Sequence, residues 1–264
     1  MEKKIVILTG GTSGIGLETA KCLAADGCVV YEFSRREAEL PGMCHMRVDV
    51  TNEEQVRDAV EAVFAAEGRI DVLINNAGFG ISGAFEFTDS ADAHRLMEVN
   101  LFGMNNTIRE VLPHMRAAGR GRIVNLSSVA GPLPIPFQTW YSISKASVNA
   151  LTMALANEVR PYGITVCSVM PGDIRTGFTA AREKSILGDD IYGGRIVRSV
   201  SKMEKDEQTG MDPAKAGKFI ANLALKKRVR PYNTIGIAYK ACVLLSKILP
   251  GSLIRFILEQ LYAR

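Results

Sequence analysis

The chain has 264 residues, 47% hydrophobic and 23% charged, a balance that excludes a disordered or collagen-like protein. Thirty-two basic and 28 acidic residues leave a net charge of +4, mostly interspersed, which demands no nucleic-acid partner. A chain of this length buries roughly three-quarters of its unfolded surface, so it needs no disulfide or metal staple, and it has no run of about 18 apolar residues to cross a bilayer. Five cysteines (Cys22, Cys28, Cys44, Cys167, Cys242) form no C-x-x-C pair, and three histidines are widely spaced. Both facts point to a reducing, cytoplasmic setting and to no metal site. The apolar run Ile5 to Leu8 is too short for the core of a secretory signal.

Short apolar runs alternate with longer amphipathic ones. Lys4 to Leu8 reads as a buried strand, Gly14 to Asp26 as a helix and Cys28 to Phe33 as a second strand. Met46 to Asp49 reads as a short strand, followed by a helix over Glu53 to Glu67 with Thr51 or Asn52 as its N-cap. Asp71 to Asn75 is a strand. Asp92 to Ala117 reads as one long helix that Pro113 bends or ends early. Arg122 to Leu126 is a strand, Trp140 to Arg160 a helix and Ile164 to Met170 a sixth strand. Asp212-Pro213 has the form of an N-cap and first-turn proline, opening a helix through Leu225. This alternation implies right-handed βαβ units: an α/β fold with a doubly wound, Rossmann-type parallel sheet flanked by helices, in one domain spanning 1–264.

Two segments depart from the pattern. Residues 174–210 are rich in charge and glycine and follow a strand end, where open α/β sheets bind ligands, so they read as a substrate lid. Residues 238–264 form an apolar C-terminal extension that Lys247 and Pro250 interrupt. Two amphipathic helices are the plainer reading there, able to cap the pocket, join subunits or lie on a membrane surface. The basic run Lys226, Lys227, Arg228 and Arg230 reads as a solvated loop, with an anionic surface or ligand as the alternative.

Thr9-Gly10-Gly11-Thr12-Ser13-Gly14-Ile15-Gly16 joins the first strand to the first helix. Gly10 permits a tight turn, Gly14 lets backbone approach a pyrophosphate, and Gly16 allows close helix–strand packing. The helix N-terminus adds free N–H groups and partial positive charge. The second strand then ends in Ser34-Arg35-Arg36, where an NAD site usually carries an acid. Glu32 shares the facing of Ser34 but lies deeper. Two arginines and a hydroxyl suit a 2′-phosphate, which favours NADP(H) while leaving NAD(H) open.

Three more pieces follow in order: Asn75-Asn76-Ala77-Gly78, Ser127-Ser128 and Tyr141-Ser142-Ile143-Ser144-Lys145. Tyr141 and Lys145 are four residues apart, on one side of a helix. A neighbouring ammonium would favour phenolate and bring the tyrosine toward its working pH. A serine hydroxyl donates well to a carbonyl oxygen that gains negative charge.

With the glycine turn, these motifs make the sequence resemble the classical short-chain dehydrogenase/reductase family from about Ile5 to Thr176. The resemblance implies a catalytic set of Asn100, Ser128, Tyr141 and Lys145. Ser128 would polarise the substrate carbonyl and Tyr141 would exchange the proton. Lys145 would hold the cofactor ribose, and the backbone carbonyl of Asn100 would anchor a water relay. It further implies cofactor contacts by Gly10, Thr12, Ser13, Gly14, Ile15 and Gly16 in the turn, and by Asp49-Val50 at the adenine. Asn76, Ala77 and Gly78 would lie at the ribose, and Pro171, Gly172, Ile174 and Thr176 beside the nicotinamide. Ser13 stands where many NADP-dependent relatives carry a basic residue, which shifts the 2′-phosphate onto Arg35 and Arg36.

The expected activity is NADP(H)-dependent interconversion of a ketone or aldehyde and an alcohol. Ala130, Leu133, Ile135, Phe137, Trp140 and Phe79 form an apolar wall that suits a lipophilic, steroid- or retinoid-like substrate. A 3-oxoacyl-carrier-protein reductase is the rival reading. Arg230-Pro231-Tyr232-Asn233-Thr234-Ile235-Gly236, leading into an apolar stretch, sets the chain apart from that rival's paired-glycine strand. A non-catalytic NADP(H)-sensing protein is the alternative of another class. The partners expected are a small carbonyl or alcohol substrate and a second or further copy of the chain, joined through the helices carrying Asn100 and Tyr141 as a homodimer or homotetramer. Nucleic acid is not expected, and peripheral membrane contact ranks last.

Overall fold

The computed structural model describes residues 3–264. Seven strands form one parallel sheet: β1 (Ile5–Thr9), β2 (Val29–Ser34), β3 (Cys44–Arg47), β4 (Val72–Asn75), β6 (Gly121–Leu126), β7 (Ile164–Met170) and β9 (Tyr232–Thr234). Their spatial order is β3-β2-β1-β4-β6-β7-β9. The order reverses between β1 and β4, and that crevice is where such sheets bind ligands. A separate two-stranded pairing joins β5 (Ile81–Ser82) to β8 (Glu183–Lys184).

Alternation along the strands divides the core. Ile5, Ile7, Phe33, Leu73 and Ile123 face one layer, with the buried stripes of α2 (Glu53–Glu67), α4 (Gly103–Ala117) and α5 (Thr139–Val159). Val6, Leu8, Val30, Ile74 and Val124 face the other, against α1 (Gly14–Ala25) and α8 (Pro213–Leu225). Both faces are covered, which is why the strands read as unbroken apolar runs.

Asn52, not Thr51, caps α2 by accepting from the Gln55 N–H at 3.0 Å. Such a cap contributes about 1 kcal/mol. The third strand lies two residues earlier than expected. Asp49 is drawn instead into a turn, its Oδ1 accepting from the Thr51 N–H and hydroxyl at 3.0 and 2.8 Å. The expected long helix is α3 (Ser90–Met97), a π turn at Glu98–Phe102, and α4 in succession. Its start moves to Ser90 because Asp89 caps the Ala91 N–H. Pro113 lies inside α4, which continues to Ala117.

Residues 174–210 are not irregular. They hold α6 (Phe178–Ala181), β8 and the amphipathic helix α7 (Arg195–Gln208). A bridge between Ile174 and Met211 closes the excursion, and Arg95 on α3 pairs with Glu183. The run before Gly236, set apart from sequence only by the absence of a paired glycine, forms β9 on the sheet edge beside β7. It is followed by α9 (Ile237–Leu245) and α10 (Gly251–Tyr262), the two helices expected. No helix among the described residues is long and apolar enough to cross a membrane.

Candidate active site

A cleft of about 940 Å³ runs along the C-terminal ends of the central strands. Gly10, Thr12, Ser13, Gly14, Ile15 and Gly16 line one end, with Ser34, Arg35, Arg36, Asp49 and Val50 beside them. Asn76, Ala77 and Gly78 form its middle, and Ser128, Tyr141, Lys145, Pro171, Gly172, Ile174 and Thr176 the other end. Of the catalytic and cofactor residues picked from sequence, Asn100 does not line it, being fully buried behind.

The glycine turn is held rigidly. Gly10 and Gly14 have φ of +69° and +55°, left-handed conformations that glycine adopts without penalty. A Cβ on Gly16 would come within 2.3 Å of the Gly10 carbonyl, so the close packing there is of helix against turn. Asn76 clamps the turn by donating to the carbonyls of Thr9 and Gly10 at 3.1 and 2.7 Å. α1 begins with no side-chain cap and no acid in its first turn. Its first N–H groups are therefore left for an anion, and the cradle fits a dinucleotide pyrophosphate.

Glu32 has a role that its sequence position hid. It is fully buried, and one carboxylate oxygen accepts the Gly11 N–H at 2.6 Å. The other meets Ser34 Oγ at 3.2 Å and His45 Nδ1 at 2.7 Å. Its oxygens are thus engaged beneath the turn, while Arg35 and Arg36 stand exposed at the cleft rim.

At the other end, Lys145 Nζ lies 5.7 Å from the centre of the Tyr141 ring, as their helical spacing requires. It donates to the Leu126 carbonyl at 2.9 Å. Ser127 points away, donating to the Lys145 carbonyl at 2.9 Å, whereas the Ser128 hydroxyl accepts from the Ala130 N–H at 3.1 Å. Asn100 sits in the π turn, a feature frequent at functional sites. Its Oδ1 accepts from the Phe79 N–H, and its Nδ2 donates to the Phe79 carbonyl and to Ser144 Oγ. It thereby ties α5 to the loop after β4.

Burial dominates the electrostatics of the Tyr141–Lys145 pair in the cofactor-free chain. Burial pushes the phenol up to about 12, against hydrogen bonding from Ser128 and the charge of Arg182, which pull down; Glu207 and Asp173 push further up. Burial also takes Lys145 down to about 8, so it stays largely an ammonium at neutral pH.

The apolar wall also differs. Phe79, Ala130, Ile135 and Phe178 line the cleft, but Leu133, Phe137 and Trp140 do not. Phe137 packs into a separate cluster with Ile196, Val200 and Met203, and Trp140 stacks on Phe85 at 5.6 Å. In their place come Asp173, Met203, Glu207 and Tyr262, from loops and helices distant in sequence. Asp173 accepts from the Tyr239 hydroxyl, and Glu207 pairs with the buried Arg182. Asp173 stands inside the quoted Pro171-to-Thr176 motif, where an acid beside the reacting end was visible. Nothing in the sequence marked Glu207 or Tyr262. Among the described residues no His, Cys, Asp and Glu side chains cluster as metal ligands.

The model of a family described as short chain dehydrogenase matches residues 4–186. The chain belongs to the short-chain dehydrogenase/reductase family. A Bacteroides thetaiotaomicron protein named 3-ketodihydrosphingosine reductase is 41% identical over all of this chain and 99% of its own length. A Thermotoga maritima 3-oxoacyl-[acyl-carrier-protein] reductase is 38% identical over 68% of this chain and 77% of that protein. A Streptomyces avermitilis short-chain dehydrogenase structure superposes with a TM-score of 0.83, at 31% identity, covering 98% of this chain and 96% of that one. Short-chain dehydrogenases/reductases are oxidoreductases acting on CH–OH groups with NAD or NADP, which sets aside the non-catalytic reading.

Proposed function

We propose that the protein is an NADPH-dependent reductase of a long-chain ketone bearing an amino group beside the carbonyl, of the 3-ketodihydrosphingosine kind. One observation carries this. Asp173 and Glu207 border the cleft close enough to raise the pKa of the Tyr141 hydroxyl, while Phe79, Ile135, Phe178 and Met203 supply apolar wall. Since Arg182 and Thr179 engage both Glu207 oxygens, a protonated amine on the carbon next to the ketone would find the free oxygen of Asp173 there, and an alkyl chain would find the wall. The name of the full-length Bacteroides relative points the same way.

The glycine cradle would hold a nicotinamide dinucleotide, which would supply the hydride. Arg35 and Arg36 at the rim suit a 2′-phosphate, and the engagement of Glu32 beneath the turn removes the acid that would favour NAD. Ser128 donates to the substrate carbonyl oxygen, and the Tyr141 hydroxyl passes its proton to that oxygen as charge develops. Lys145 would hold the ribose hydroxyls, and its ammonium, with a bound cofactor, would bring the phenol down from its unliganded value. Asn100 positions the loop over Lys145 and anchors the water relay through its backbone carbonyl. The 174–210 segment acts as the substrate lid. Phe102, Ile143 and Met153, exposed beside the helices of Asn100 and Tyr141, suit pairing with a second copy.

The test is NADPH consumption with 3-ketodihydrosphingosine, its N-acetyl analogue and an acetoacetyl thioester, with Tyr141→Phe as control. Removing the substrate's positive charge is expected to lower kcat/KM by roughly tenfold to a hundredfold, the worth of one charge-assisted contact. Preference for the thioester would give the reaction to the carrier-protein class instead. A Tyr141→Phe enzyme near wild-type rate would overturn the mechanism.

A further inference from the structure

Residues 226–264 carry eight basic side chains and one acidic, a net +7, so the rest of the chain is at −3. This charge sits beside an uncovered apolar surface. On α10, Leu253, Phe256, Ile257 and Leu261 are all exposed and recur at helical spacing, forming one stripe. Ile237, Leu244, Leu245 and Ile248 recur likewise on and just after α9, with Ile237 88% and Ile248 70% exposed. Single exposed apolar residues are ordinary, but eight in twenty-five residues mark a surface meant to be covered.

Both helices are fixed to the body by other side chains. Lys240 and Lys247 lie over the rings of Phe219 and Tyr232, Val243 is buried, and the Ala263 carbonyl accepts from Arg195 Nε. Both also reach the catalytic cleft. Tyr239 of α9 donates to Asp173 and packs where a Cβ on Gly172 would stand, and Tyr262 of α10 lines the cleft itself.

We infer that α9 and α10 dock the protein on an anionic bilayer surface, with the apolar stripes in the headgroup–acyl boundary, the basic run 226–230 over the headgroups, and the cleft mouth at the lipid. Amphipathic helices with cationic surroundings bind in this way, through apolar burial together with attraction to anionic lipid. A second copy is the poorer occupant, because an isologous two-fold would set one +7 segment against another. Docking stands on this surface alone. Delivery of a lipid substrate through it rests on the long-chain reading above.

The experiment is flotation of the full-length protein with phosphatidylcholine vesicles, with and without phosphatidylglycerol, at low and high salt. Binding is expected only with phosphatidylglycerol, and to weaken as salt screens the charges. A Leu253→Ser/Phe256→Ser/Ile257→Ser variant, altered only at exposed positions, is expected to bind at least about tenfold more weakly. It should keep wild-type turnover of a short, water-soluble ketone without vesicles, which reports the active site independently of the membrane. Wild-type protein that stays unbound with anionic vesicles overturns the proposal. So does a triple variant that floats as well as wild type, since charge alone would then suffice, as for an acidic carrier protein. A triple variant whose only change is a lower oligomeric mass assigns the face to a second copy and overturns it as well.

Discussion

Lys145 offers a test that is independent of any substrate. It is 6% exposed, and burial brings its pKa from 10.5 to about 8 in the folded, cofactor-free chain. At about 1.4 kcal/mol per pKa, keeping this ammonium in place at neutral pH costs on the order of 3 kcal/mol. Between pH 8 and 10.5 the unfolded chain holds more protons at this position, so its contribution to stability rises with pH across that window and is flat below it. The Tyr141 phenol and the Cys167 thiol act in the opposite sense. Burial raises both, so their contributions fall as the pH passes their unfolded values. Lys145→Met isolates the lysine. Urea unfolding of the cofactor-free wild type and variant, from pH 7 to 10.5, should give a stability difference that changes by about 3 kcal/mol, in favour of the wild type as pH rises. The Leu126 carbonyl, which loses its donor in the variant, adds an offset of about 1–3 kcal/mol that does not depend on pH. A difference curve flat to within about 0.5 kcal/mol would refute the account of a buried, destabilised ammonium.

Three further outcomes follow from the cofactor end of the cleft. Arg35→Asp should lower kcat/KM for NADPH by roughly tenfold to a hundredfold and leave NADH within a few-fold; equal losses would remove the 2′-phosphate assignment. Glu32→Ala should cost about 1–3 kcal/mol in thermal or urea unfolding by freeing the Gly11 N–H, and should raise KM for both cofactors alike; a loss confined to NADH would place this acid at the ribose instead. Gly16→Ala drives a methyl into the Gly10 carbonyl, so dinucleotide binding measured by fluorescence titration should fall more than about tenfold, and unaltered affinity would show that the turn is not the cradle.

Much of the cleft's lining was legible because its geometry is local. The turn from Gly10 to Gly16, the four-residue spacing of Tyr141 and Lys145, and Asn76 at a strand end occupy single elements whose backbone periods fix where side chains point. The alternation of apolar runs likewise dictated a parallel sheet covered on both faces. Where the reading failed, the deciding contact was distant. Phe137 and Trp140 were expected in the pocket by position alone, yet packing against Ile196 and Phe85 turned them away. Glu32 was read only as lying deeper than Ser34, and its bonds to Gly11 and His45 could not be foreseen because those partners come from other segments.

By itself the sequence determined the sheet, the glycine turn and the spacing of the tyrosine–lysine pair, because each depends on residues within one or two turns of chain. Only the tertiary structure decided the burial that raises the Tyr141 phenol's pKa, the carboxylates of Asp173 and Glu207 at the cleft, and the joining of α9 and α10 to the cleft through Tyr239 and Tyr262. These arise from burial and from charges brought together over long stretches of chain, and neither leaves a periodic mark in the order of the residues.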